Sequence, residues 1–140
     1  MIDYDARLDF QVRDYECDMQ GVVNNAVYQN YLEHARHEFI KTLGVDFADL
    51  ARQKINLVVV RAELDYKTPL VSSDRFWIGT RLEKLTPLRF VFFQDIYRTA
   101  DQALVVKARI IGTALNERGR PKMPAEIARA LTPKAAVSVE

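Results

Sequence analysis

The sequence predicts an α+β domain in which a curved antiparallel sheet wraps one long helix. Three observations carry this prediction. Only one stretch, from about Asn25 to Leu43, holds an apolar helical period over many turns. One strand-like segment precedes it and four follow, and the short connections among those four imply antiparallel neighbours. A single helix with apolar residues over much of its girth needs a sheet packed around it. With 140 residues, 49% hydrophobic and 28% charged, the chain reads as one globular domain over 1–140, with a core over about 8–127.

Taken in order, "RLDFQVRDY" alternates Leu8, Phe10 and Val12 against Asp9, Gln11 and Arg13, which is the period of a half-buried strand. "ECDMQGVV" breaks that alternation and contains Gly21, so it reads as a loop. In the long helix Tyr28, Tyr31, Leu32, Ala35, Phe39 and Leu43 recur at helical spacing, and Gly44 is suited to end it. Asp46 to Gln53 reads as a short second helix. "NLVVVRAELDY" is a strand, with Pro69 beyond its end. "RFWIGTRLEKL" alternates Phe76, Ile78, Thr80 and Leu82, and Pro87 marks the turn after it. "RFVFFQDIYRT" follows, then a tight hairpin at "ADQ" and the long strand "ALVVKARIIGTALN", where Gly112 marks a bulge or bend. "NERGRP" is a turn, "PAEIARAL" a short helix with Pro124 near its first position, and 132–140 a tail. Open sheet edges and aromatic strands suggest a partner subunit.

Composition excludes several classes. The net charge is +1, with both signs mixed along the chain, so no field for nucleic acid or an anionic membrane is implied. The one cysteine, Cys17, cannot form an intramolecular disulfide. The N-terminal "MIDYDARLDF" is acidic where a signal peptide is basic and then apolar, and no apolar run reaches membrane-spanning length. The expected location is cytoplasmic.

The candidate chemistry lies between Tyr15 and Phe39. Asp18, in the loop before the helix, is a carboxylate able to act as general base or nucleophile. From loop chemistry alone, a turn or capping role is the plainer reading. The helix that follows offers unpaired N–H groups and a partial positive charge, which suit an oxyanion. This kit lacks a general acid, and a thiolate leaving group hardly needs one. Asn24 or Asn25 caps the helix, and the Asn25 N–H is the candidate carbonyl donor; an Asn side chain there could also hold the attacking water.

Other groups in the stretch read as structural. His34 and His37 lie on the polar face of the helix, and no metal site is expected from them. Cys17 points away from Asp18 in an extended backbone and reads as a small buried residue. Glu33 and Arg36 form an i, i+3 pair, Glu38 reaches toward His34 or the neighbourhood of Arg36, and Arg36 is alternatively placed to anchor Asp14 or Asp18. "ERGRPK" is the densest basic cluster, a weak candidate for the phosphates of a nucleotide-like carrier.

The run Asp18, Gly21, Val22, Val23, Tyr28, Tyr31, Leu32, Glu33, Ala35 and Arg36 resembles the acyl-CoA thioesterases of the hotdog fold. The resemblance covers roughly Leu8 to Ile127. It is nearest the 4-hydroxybenzoyl-CoA and tol-pal-associated thioesterase branch, and is similar also to plant plastid acyl-carrier-protein thioesterases. It implies a hotdog fold and hydrolysis of acyl-CoA or acyl-carrier-protein thioesters, with no cofactor. It places the catalytic aspartate at Asp18 and the carbonyl-polarising backbone amide at Asn25. Substrate is expected against Gly21, Val22, Val23, Asn24 and Tyr28. The family's usual aromatic-and-histidine pair is Asn24-Asn25 here. The resemblance also implies dimers that join their sheets, commonly paired into homotetramers. The alternatives are a hotdog dehydratase of 3-hydroxyacyl thioesters and a binding protein that holds acyl thioesters without cleaving them.

Overall fold

A computed structural model describes residues 3–131. Its elements are β1 (Ala6–Gln11), α1 (Asn25–Thr42), α2 (Phe47–Arg52), β2 (Asn56–Tyr66), β3 (Arg75–Thr86), β4 (Arg89–Arg98), β5 (Leu104–Leu115) and α3 (Ala125–Leu131). The five strands form one antiparallel sheet in the order β1-β3-β4-β5-β2, and α1 lies against one face of it. This is the expected sheet around one helix. The tail expected at 132–140 lies outside the described residues. No described helix is long and apolar enough to cross a membrane.

Helix α1 begins where Asn24 takes an extended conformation and ends at Gly44, whose φ of +87° favours glycine. Its buried residues are Tyr28, Tyr31, Leu32, Ala35, Phe39 and Ile40. Phe10 stacks on Phe76 at 4.9 Å between ring centres, Tyr31 meets Phe76 at 4.8 Å, and Phe39 meets Phe92 edge-on at 6.4 Å. Gln94 is fully buried under the helix, donating to the Leu32 carbonyl and to Thr80 Oγ1, each at 3.1 Å. Those two bonds offset the cost of burying its amide nitrogen.

Two expectations about the sheet are corrected. Strands β2 and β3 are consecutive but not neighbours: β2 pairs with β5, at the opposite end of the sheet order from β1. The connecting residues 67–74 are too many for a tight hairpin turn, and they are anchored elsewhere. Lys67 and Thr68 N–H groups donate to the Val105 carbonyl, and Leu70 is fully buried beside α1. The irregularity expected at Gly112 falls on the strand opposite. The register slips between Val59 and Arg61 of β2, facing Gly112 and Ile111. Gly112 is instead a close approach, since a Cβ there would lie 2.6 Å from Phe90 Cε1 and 3.0 Å from the Val58 oxygen.

A second close approach fastens the N-terminal segment. Tyr4 lies across Gly79, where a Cβ would come within 2.5 Å of its ring. The Tyr4 hydroxyl donates to Asp95 Oδ2 at 2.6 Å and lies 3.0 Å from the Tyr97 hydroxyl. Asp95 is only 5% exposed, so Tyr4 supplies a buried carboxylate with a partner. Gly79→Ala should therefore displace Tyr4 and destabilise the fold by about 1–3 kcal/mol. Urea denaturation of Gly79→Ala beside Tyr4→Phe measures it, and an unchanged midpoint in both would show that the latch contributes nothing.

Candidate active site

The loop before α1 is a small antiparallel turn. Cys17 bridges Val23, the Asp18 N–H donates to the Val22 carbonyl at 2.8 Å, and the Gly21 N–H returns to the Asp18 carbonyl at 3.0 Å. Gly21 has φ +82°, a conformation that L side chains rarely adopt, so the reversal there favours glycine. Val23 is buried at 2% exposure and Cys17 is partly buried against the core. By strand alternation, Asp18 and Asn24 then turn the other way, and both are exposed. About two residues of extended chain, roughly 6–7 Å, separate their levels along the turn.

Asp18 Oδ1 accepts from the N–H of Gln20 at 2.8 Å and of Val22 at 3.4 Å. One carboxylate oxygen thus shapes the turn. Among the described residues, no donor meets Oδ2. Asn24 is the helix cap: its Oδ1 accepts from the Ala26 N–H at 2.9 Å, and its carbonyl accepts from Val27. The Asn25 N–H is left without an acceptor among the described residues. The turn thus leaves one carboxylate oxygen unengaged and the helix start leaves one N–H unpaired, the two kinds of group that can activate water and receive an oxyanion.

The rest of the stretch holds this entrance in place. The Val23 N–H donates to the Leu70 carbonyl at 2.9 Å, and Val22 bridges Val71. Tyr28 is 3% exposed, and its hydroxyl accepts from the Leu70 N–H at 3.1 Å, so it supports the entrance from beneath. Three features were not singled out in the sequence. Glu16 Oε1 accepts both the Tyr31 hydroxyl and the Arg13 N–H, each at 2.7 Å. Leu70 carries a buried backbone link to two elements distant in sequence. Tyr66, 47% exposed at the end of β2, places its hydroxyl 3.4 Å from the Asn25 carbonyl and its ring 5.7 Å from Tyr28. Only the Glu16–Tyr31 link had a local signal, an acid in the loop and a hydroxyl on the inward face. Tyr66 comes to the site through the β2–β5 pairing.

Several pairings expected of the helix are corrected. Arg36 reaches neither Asp14 nor Asp18; its Nη1 donates to Gln94 Oε1 at 3.1 Å. It stands eleven residues beyond Asn25, about 16–17 Å along the axis, too far for the loop. Asp14 instead accepts the Ser72 hydroxyl. Glu33 faces His37 at 4.0 Å rather than pairing with Arg36, and Glu38 pairs with Lys41 at 2.9 Å rather than His34. Both histidines are exposed. Burial, reinforced by Asp14 and Asp18, holds the Cys17 thiol above its usual pKa, the opposite of an activated nucleophile. The basic turn 116–121 follows the far end of β5, about 30 Å along the strand from the Tyr66 partner Val106.

Two outcomes follow. Asn24→Ala should cost about 1 kcal/mol of stability through loss of the cap, whereas Asn25→Ala should be near neutral; urea denaturation separates them. Burial first, then the bond to Glu16, raises the Tyr31 phenol above its ordinary value of 10.0. Its contribution is present below that pH and is lost as pH rises beyond about 10, where the unfolded chain ionises first. Tyr31→Phe should flatten that alkaline loss in denaturation series between about pH 8 and 11.

Comparison with known proteins identifies the family. Residues 12–131 match the Thioesterase-like superfamily. The chain is 35% identical over 121 residues to the chloroplastic acyl-acyl carrier protein thioesterase ATL3 of Arabidopsis thaliana, covering 86% of this chain and 64% of that protein. The chain thus spans under two thirds of that relative's length. It is 31% identical over 100 residues to the long-chain acyl-CoA thioesterase FadM of Escherichia coli, covering 71% and 75% of the two chains. The crystal structure of a hypothetical protein from Aquifex aeolicus superposes with a TM-score of 0.82 at 27% identity, over 91% of this chain and 99% of that one.

Proposed function

The chain belongs to the thioesterase-like superfamily, and on that premise we propose that it hydrolyses acyl thioesters of coenzyme A or acyl carrier protein to free acid and thiol. The observation that supports this is that the turn before α1 carries Asp18 with one carboxylate oxygen unengaged, and the helix then opens with an unpaired N–H at Asn25. The thioester carbonyl oxygen accepts from that N–H, and the negative charge that develops on it is stabilised by the positive end of α1. Asp18 takes a proton from water as the water oxygen bonds to the carbonyl carbon. Alternatively it attacks that carbon itself, forming an anhydride that water then opens. In either route the C–S bond breaks with its electron pair on sulfur, and the thiolate leaves without a general acid.

Gly21 and the two valines shape the turn in this reading, and Tyr28 supports it from below. Both carrier classes are supported by relatives, one named for acyl carrier protein and one for long-chain acyl-CoA. A dehydratase is less well supported. It wants a histidine at the helix entrance, and His34 and His37 lie about 13–18 Å further along α1. The proposed active form is a dimer joined through β2, or a pair of such dimers. That strand borders only β5 among the described residues and exposes Val59 at 51% and Val60 at 45%. Sedimentation analysis tests it, and a monomer at micromolar concentration would overturn it.

The decisive experiment follows thiol release from a panel of acyl-CoA and acyl-carrier-protein thioesters. Asp18→Asn keeps an oxygen for the Gln20 and Val22 amides while removing the carboxylate. It should lower kcat by about 10²–10⁴-fold with the fold intact. Full turnover in that variant would remove Asp18 from the mechanism. Tight binding of every carrier without thiol release from the wild type would favour the non-catalytic alternative.

A further inference from the structure

A groove runs between α1 and β2, antiparallel to the strand. Its first part, about 250 Å³, is lined by Gln29, Arg36, Val59 and Ala62 among others, and begins one helical turn beyond Asn25. Its second part, about 750 Å³, continues past Arg36 and Val59 to Ile40, Leu57 and Phe90. The strand side of the groove is mainly apolar. Glu33, Arg36 and Val59 border both parts, and Arg36 is the one cation in the wall they share.

That guanidinium is poorly compensated. It is half-buried, and its hydrogen bond among the described residues is to a neutral amide, Gln94 Oε1. Gln94 is itself held by Leu32 and Thr80, so it cannot turn to offer more. Among the described residues, no carboxylate lies within 4.0 Å of Arg36, because Glu33 sits against His37. Burial lowers the guanidinium pKa, opposed only by the charge of Glu33. A guanidinium has five N–H donors in a fork matched to a carboxylate, and a partly desolvated one with no carboxylate in direct contact gains most from such a ligand.

We propose that Arg36 is a carboxylate-recognition site in the acyl groove, and that the preferred substrate is an acyl thioester whose far end carries a carboxylate. This rests on the thioesterase reading above. The spacing suits it. Arg36 stands about 16–17 Å along α1 from Asn25, and its side chain leans back toward the helix start. An extended chain advances about 3.6 Å for every three bonds, so about 10–14 bonds link a carbonyl at Asn25 to a carboxylate at Arg36.

Dodecanedioyl-CoA and lauroyl-CoA match in chain length and differ at the far end. Their kcat/KM ratio is measured for wild type, Arg36→Gln, which keeps a donor for Gln94, and Arg36→Lys, which keeps the charge. The expected wild-type ratio favours the carboxylate-ended substrate by about ten- to a hundredfold. It should collapse in Arg36→Gln and survive in part in Arg36→Lys. A wild-type preference for lauroyl-CoA, or an unchanged ratio in Arg36→Gln, overturns the proposal. If neither thioester releases thiol, the thioesterase reading fails on its own, and calorimetric titration with the same two compounds reads the site. Tighter binding of dodecanedioyl-CoA that disappears in Arg36→Gln then sustains the carboxylate site, and equal binding overturns it.

Discussion

Leu70 ties the candidate site to the fold through its backbone. A fully buried amide must find partners, and those of Leu70 lie in segments far from it in sequence: Tyr28 takes its N–H and Val23 donates to its carbonyl. The β2–β3 connection, the first turn of α1 and the turn that carries Asp18 are thereby locked together. Joined, they form a rigid entrance in which Asn24 closes the helix and the next amide stays open.

The polar layer beneath α1 follows the same logic deeper in the molecule. Gln94 sits fully buried because Leu32 and Thr80 accept its two amide hydrogens and Arg36 supplies a donor for its oxygen. This brings a guanidinium down to the groove wall, opposite the mainly apolar strand side. On the opposite face of the sheet, Tyr4 meets the needs of Asp95 in the same way. Buried polar groups thus mark where this small domain specifies a geometry that apolar packing alone leaves loose.

Much of the architecture was legible in local patterns. The long helix, the five strands and Gly44 as a terminator rest on periodicity and turn chemistry, which are properties of neighbouring residues. The capping role at the Asn pair was also readable, though the choice of Asn24 over Asn25 was not, since it depends on where the chain turns into the helix. Pairings across sequence were harder. Arg36 had carboxylates nearby in the chain and found an amide on β4 instead, and Gly112 answers to the Phe90 ring rather than to its own strand.

The sequence by itself determined the elements, the faces they bury, and a carboxylate followed by a helix start, because these are encoded in residues a few positions apart. Only the tertiary structure decided that β2 lies beside β5. That placement brings Tyr66 to Asn25 and opens the groove along α1 past Arg36. The reason is physical: strand neighbours are chosen by which distant edges can satisfy one another's backbone, and adjacency in sequence does not specify them when the connection is long.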